Sequence, residues 1–141
     1  MLKILLPIDG SAHAGRAVEH VLQRRAELGA FDLHLLNVQL PLESGHAKLF
    51  FGPDEIAAYQ REQGLDALRA ARERLDAAGV PYTFHVVVGH AGETIARFAR
   101  EQACDQIVMG SHGRSALTHL VLGSVASDVI RLADVPVTLV K

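Results

Sequence analysis

Apolar residues fall into short unbroken runs, and between the runs they recur every three or four positions. Leu2–Ile8 is apolar but for one lysine and stops at Asp9-Gly10, the pattern of a parallel strand buried on both faces. From Ser11 to Leu28, residues Ala14, Ala17, Val18, Val21 and Leu22 share one helical stripe, with Ser11 placed to cap its start and Gly29 to stop it. Phe31–Val38 reads as a second strand, and Pro41–Gly52, rich in Gly, Pro and His, as a loop. A long helix follows from Asp54 to Ala78, with Leu65, Leu68, Leu75 and Ala78 inward; Gly64 weakens its middle and Gly79 closes it. Tyr82–Val88, Asp105–Met109 and Val135–Val140 complete the strands. A short helix over Glu93–Glu101 carries Ile95, Phe98 and Ala99, and another starts at Ser124.

This βαβαβαβαβ alternation demands a parallel sheet with right-handed crossovers. The expected fold class is α/β: one domain over residues 1–141, an open five-stranded Rossmann-like or flavodoxin-like sheet, helices on both faces. In such sheets ligands bind at the carboxyl ends of the strands, where the strand order reverses. With order 3-2-1-4-5, strands 1 and 4 flank that point, and Asp9-Gly10 and Gly110-x2-Gly113 converge on one crevice.

Composition narrows the function. Hydrophobic residues make up 49% of the 141, enough for a real core, and charged residues 21% with net charge −2. No basic footprint for nucleic acid or an acidic membrane surface appears. No apolar run approaches the ~20 residues that a membrane span needs. The first residues lack the pattern of a signal peptide, and a single cysteine, Cys104, suits a reducing compartment, so a cytoplasmic location is expected. Cys104 reads as a packing residue near the start of a strand.

The densest chemistry is Gly110-x2-Gly113-x9-Gly123-Ser124, between a buried strand and a helix. Glycines let backbone N–H groups approach an anion closely, and a helix N-terminus favours negative charge there. The segment is expected to cradle phosphate. Ser11 and Ser124 both read first as helix caps. Gly10-x4-Gly15-Arg16-Ala17 has the spacing of a Walker A loop but not its chemistry. Arg16 replaces the lysine, Ala17 replaces the metal-binding hydroxyl, and Gly15 falls within the first helix pattern. No Gly-x-Gly-x-x-Gly supports a dinucleotide. The eight histidines (His13, His20, His34, His46, His85, His90, His112 and His119) include no His-x3-His pair, so no metal site is expected. His34 and His85 fall in strands, and His112 lies inside the phosphate turn as either a ligand contact or a solvent-facing loop residue. Arg97-x2-Arg100 and Arg69-x2-Arg72-x-Arg74 read as solvated helix faces.

These residues resemble the universal stress protein family, in its ATP-binding branch. The glycine motif, the opening Ile4-Leu-Leu-Pro-Ile-Asp-Gly-Ser11 and the closing Ala133-Asp-Val-Pro-Val-Thr-Leu-Val140 carry the resemblance along the whole chain. It implies that Pro7, Ile8 and Asp9 lie beside a bound nucleotide, with Asp9 on the ribose or on magnesium carried by the nucleotide. Val38 would offer backbone groups to the adenine edge, and Met109 and Gly110 would line the ribose side. His112, Gly113 and Arg114 would turn around the phosphates, with Gly123, Ser124 and Val125 closing the cradle. The family often has Thr where this chain has Ile8, so a polar contact is lost there. The implied ligand is ATP, or ADP or AMP, with Mg²⁺ as companion. The implied function is nucleotide binding in stress response or signalling, with little or no catalysis. The alternatives are a slow ATPase or phosphotransferase using the same cradle and a flavodoxin-like electron carrier, the last disfavoured by the absence of Trp and the presence of only two Tyr. A homodimer is expected through Val135, Val137 and Leu139 of the last strand, an apolar sheet edge that needs cover.

Overall fold

The computed structural model describes residues 1–42, 50–113 and 122–141. Five strands form one sheet: β1 (Leu2–Pro7), β2 (Phe31–Gln39), β3 (Thr83–Val88), β4 (Gln106–Gly110) and β5 (Val137–Val140). All neighbours run parallel, in the order β3-β2-β1-β4-β5. The parallel pairing is what the alternation of elements demanded, and the strand order is the expected one. Ile4, Leu5 and Leu6 of β1 are each 0% exposed, which explains a strand sequence with no polar alternation.

Among the described residues the helices are α1 (Ala12–Gln23), α2 (Arg25–Leu28), α3 (Pro53–Ala77), α4 (Ala91–Glu101) and α5 (Ser124–Leu132). Ile4, Leu6, Leu33 and Leu35 face α1 and α3 in one core with Val18, Val21, Leu68 and Leu75. Leu5, Leu36, Ile107 and Met109 face α4 and α5 in the other, with Ile95, Ala99, Ala126 and Val129. Successive strand residues thus feed opposite cores, as the pleat requires.

Three local expectations are corrected. The stretch from Ser11 to Leu28 is two helices rather than one. The inward stripe of α1 ends at Leu22, and at Arg24 the backbone leaves helical geometry with φ −105° and ψ 8°. Gly29 then stops α2 with φ +69°, a conformation that favours glycine. Leu65 is only half-buried, and the inward stripe of α3 is Gln60, Gly64, Leu68, Ala71 and Leu75. Gly64 is a packing contact, not a weak point: a Cβ there would lie 2.4 Å from Val86 Cγ1 and 3.1 Å from Asn37 Oδ1. Its missing side chain lets α3 lie directly on β2 and β3.

The remaining motifs are structural. His34 Nδ1 and His85 Nε2 are 3.0 Å apart across β2 and β3, with Asp32 Oδ2 3.1 Å from His34 Nε2. Arg69, Arg97 and Arg100 make exposed ion pairs with Asp66, Glu101 and Asp134. Arg72 lies over the Phe84 ring. Cys104 is buried ahead of β4 as a packing residue of the α4–α5 core, and burial pushes its thiol pKa up. No helix among the described residues is long and apolar enough to cross a membrane.

Candidate functional site

Among the described residues, α1, α3, α4 and α5 begin at the carboxyl end of the sheet, because each parallel crossover leaves its strand there. The turns after β1 and β4 occupy the point where the strand order reverses. After β1, Ile8 N donates to Leu36 O at 2.8 Å and Asn37 Nδ2 donates to Ile8 O at 2.8 Å. The Ile8 side chain is 4% exposed and belongs to the α1–α3 core, so it offers the site no polar contact. Asp9 Oδ1 accepts from Ser11 N at 2.9 Å, and Ser11 Oγ accepts from Ala14 N at 3.2 Å. Gly10 takes φ +85° between them, the conformation for which glycine is suited. The start of α1 is therefore capped from within the chain, as its sequence indicated.

The turn after β4 is built by close backbone approach. A Cβ on Gly110 would lie 2.7 Å from His13 Cβ and 2.8 Å from His13 C, so α1 packs against bare β4 backbone. Ser111 N donates to Val140 O at 2.9 Å, and Gly123 N returns to Ser111 O at 2.8 Å. The two halves of the glycine motif are thus tied together directly. A Cβ on Gly123 would lie 3.1 Å from both Ser111 O and His112 Cα. A Cβ on Gly113 would lie 2.7 Å from Asp9 Oδ2. These glycines leave a space that side chains would fill, at the one place where both turns meet.

The expectation that Ser124 caps the last helix is corrected. Gly123 is the N-cap of α5, Ser124 is its first helical residue, and no side chain caps this end. The reason is local: Gly123 is held in extended geometry by its bond to Ser111, which moves the helix start one residue on. The start of α4 is also without a side-chain cap. The first N–H groups of both helices thus lack side-chain acceptors, the arrangement that receives anions.

The residues picked from the sequence gather in one cleft. A narrow recess is lined by Pro7, Ile8, Asp9, Val38, Met109 and Gly110, with His112, Gly113 and Val125 at its edge. It opens into a wider space of about 680 Å³, to which Gly123 and Ser124 contribute. That volume lies in the usual range of ligand pockets, roughly 300–1,000 Å³. Arg114 lies outside the described residues, as does much of the 41–52 loop. The sequence reading missed Asn37, which holds the Ile8 turn, and the start of α4, where His90, Ala91 and Gly92 line the cleft. Gly89-x2-Gly92 was the available signal. A Cβ on Gly92 would lie 2.4 Å from Asp128 Cβ, so α4 and α5 meet there. A second depression of about 630 Å³ has only α3 residues in its lining and no convergent elements.

The recess is mostly apolar, with Leu36, Val38, Ile95 and Met109 around it, and suits a flat ring system. The wider part carries Asp9, Glu93 and Asp128 as acids and His90 and His112 as bases. Among the described residues no group of three or more His, Cys, Asp or Glu is placed to hold a metal ion. His112 Nδ1 lies 3.0 Å from Ser111 Oγ, and its ring centroid is 5.1 Å from that of His13. Burial, then Arg16 and His112, push the His13 pKa below its usual value, against smaller upward pulls from Asp9 and the Val140 backbone.

The universal stress protein family model matches residues 1–141. The universal stress protein YxiE of Bacillus subtilis is 30% identical over 147 residues, covering 99% of this chain and 98% of the relative. The solved structure of MJ0577, a universal stress protein of Methanocaldococcus jannaschii, superposes with TM-score 0.81 at 32% identity, over 99% of this chain and 94% of that one. A universal stress protein solved in complex with cAMP superposes with TM-score 0.72 at 25% identity, over 99% and 97% of the two chains.

Proposed function

This chain belongs to the universal stress protein family, and on that premise we propose that it binds adenine nucleotides, ATP foremost, as a stress-response or signalling module with little or no turnover. The observation that carries this reading is the joined glycine cradle. Gly113 and Gly123 leave open the space between Asp9 and the uncapped start of α5. The adenine ring would enter the apolar recess beside Val38, and Asp9 and Met109 would flank the ribose. The phosphates would sit against the His112–Gly113 turn and the N–H groups of Ser124 and Val125. Any magnesium would arrive with the nucleotide, since the described residues hold no group of three or more His, Cys, Asp or Glu placed for a metal ion. Fast phosphoryl transfer requires charge neutralisation and an oriented acceptor. The cradle's lining acids Asp9, Glu93 and Asp128 do not neutralise phosphate.

The test is to denature protein purified without added ligand and identify what is released, then to titrate the emptied protein with ATP. Release of adenine nucleotide and saturable ATP binding are expected. No nucleotide and no binding would overturn the reading.

We also propose a homodimer through β5. Val137–Val140 forms the sheet edge, pairs only with β4 among the described residues, and remains half-exposed throughout. Val135 and Val137 pack inward against the α4–α5 core, and Leu139 lies beside Met109. Pairing of two such edges about a two-fold axis would cover the unpaired backbone. Light scattering should give a dimer mass at micromolar concentration, and Leu139→Lys should shift it toward monomer.

A further inference from the structure

A polyphosphate entering this cleft meets an unusual charge environment. Among the described residues that line it there is neither Lys nor Arg, whereas Asp9, Glu93 and Asp128 are present. The bases available at the glycine turn are His112 and, directly behind it, His13. Their ring centroids are 5.1 Å apart with planes tilted by 45°. The contact is enforced by the fold, because Gly110 lets the first turn of α1 press onto the end of β4. His13 Nδ1 is buried and has no hydrogen-bond partner among the described residues.

The groups around His13 come from four elements. Asp9 faces it from the turn after β1, Arg16 from α1 itself, His112 from the turn after β4 and the Val140 backbone from β5. Burial, the Arg16 charge and the start of a helix all oppose an imidazolium while the site is empty. A phosphate chain against the His112–Gly113 turn would reverse that balance, since an anion nearby favours the charged form of a base.

We propose that the His13–His112 pair takes up a proton as the phosphates bind, so that this site holds nucleotide more tightly as the pH falls. The pair thereby supplies positive charge to a cleft whose described lining residues include neither Lys nor Arg. The inference rests on the nucleotide reading above and adds to it a coupling between proton and ligand. Linkage fixes the sign. In the empty site His13 is held below its usual pKa, and a bound phosphate chain raises it, so proton uptake is largest between those two values.

Calorimetric titration with ATP in two buffers of different ionisation enthalpy measures the proton uptake directly. Net uptake is expected, with affinity rising by about three- to tenfold per pH unit across the transition, the upper limit being that of one linked proton. His13→Asn and His112→Asn should each reduce the uptake and flatten the pH profile. The nucleotide's own phosphate also titrates, so the informative quantity is the difference between wild type and variants. In the unmodified protein, the imidazole proton resonances of His13 and His112 should titrate at higher pH with ATP than without. This second measurement does not depend on a variant folding. Saturable ATP binding with equal uptake in wild type and both folded variants, or with unmoved histidine titrations, overturns the coupling while leaving the nucleotide reading intact. No ATP binding at any pH overturns both.

Discussion

The starts of α1 and α5 hold corresponding positions, each following a strand that flanks the reversal of sheet order, yet they are finished differently. At α1, Ser11 Oγ accepts from Ala14 N and Asp9 Oδ1 accepts from Ser11 N, so side chains close the helix end. At α5, Gly123 occupies the cap position and offers no side-chain acceptor. A helix that caps itself is more stable alone, and one left open retains N–H donors for a ligand. The chain thus places side-chain oxygens at one helix start to define the turn and withholds them from the other, where the proposed cradle lies.

The largest effect should come from closing the open end. Val in place of Gly123 would put a branched side chain 3.1 Å or less from Ser111 O and His112 Cα, and Val in place of Gly113 would press on Asp9. ATP affinity should fall by more than about tenfold, ~1.4 kcal/mol, while circular dichroism shows the helices retained. Folded variants of both kinds that bind ATP like wild type would remove the cradle from consideration.

The comparison can also be sharpened with pH, because scaffold and site should respond in opposite directions. His85 is pushed below its usual pKa by burial, with His34 and Lys3 adding to the effect, His20 by burial with Arg24, and His13 by burial with Arg16 and His112. For each, the folded value lies below the unfolded one. The unfolded chain then binds more protons as the pH drops below ~6.5, so the stability they contribute is present above that value and is lost as pH falls through the folded values. The urea midpoint of the nucleotide-free protein should decline from pH 7.5 to 5.5, and His85→Gln should lessen the decline. ATP affinity should rise over the same interval. A midpoint that rises on acidification would contradict the burial of these imidazoles.

Much of this contrast was legible in the sequence, and the limits have physical causes. Strand sites were clear because parallel strands buried on both faces read as apolar runs, and Gly110-x2-Gly113 and Asp9-Gly10 stood at strand ends where topology forces convergence. Helix boundaries were less clear. Ser124 carries the residue type of a cap, and only the long-range bond from Gly123 N to Ser111 O assigns that position to Gly123. Leu65 and Gly64 are adjacent, and only the approach of Val86 decides that the glycine faces inward. Asn37 sits in an apolar strand, and its role at Ile8 O depends on the β1–β2 register, in which Pro7 lies opposite Leu36. The start of α4 was missed because β3 is an edge strand of the sheet, whereas α4 crosses back toward the switch point.

The finest test exchanges the same atom at the two helix starts. Ser11→Ala removes an acceptor that Ala14 N uses, and loss of such a cap costs about 0.5–2 kcal/mol. Chemical denaturation should show that cost, with ATP affinity reduced only as far as the loosened turn shifts Asp9. Ser124→Ala removes a hydroxyl that makes no capping bond on an exposed residue, so stability should change by less than about 0.5 kcal/mol, as for ordinary surface substitutions. ATP affinity should nevertheless fall several-fold, since a hydroxyl bonded to charged phosphate contributes about 1.5–3 kcal/mol at most and part of that is recovered by water. The two variants should therefore separate, one along stability and the other along binding. If Ser124→Ala instead loses stability like Ser11→Ala and leaves ATP affinity unchanged, the hydroxyl serves the helix and not the ligand, and the difference between the two helix starts reduces to backbone alone.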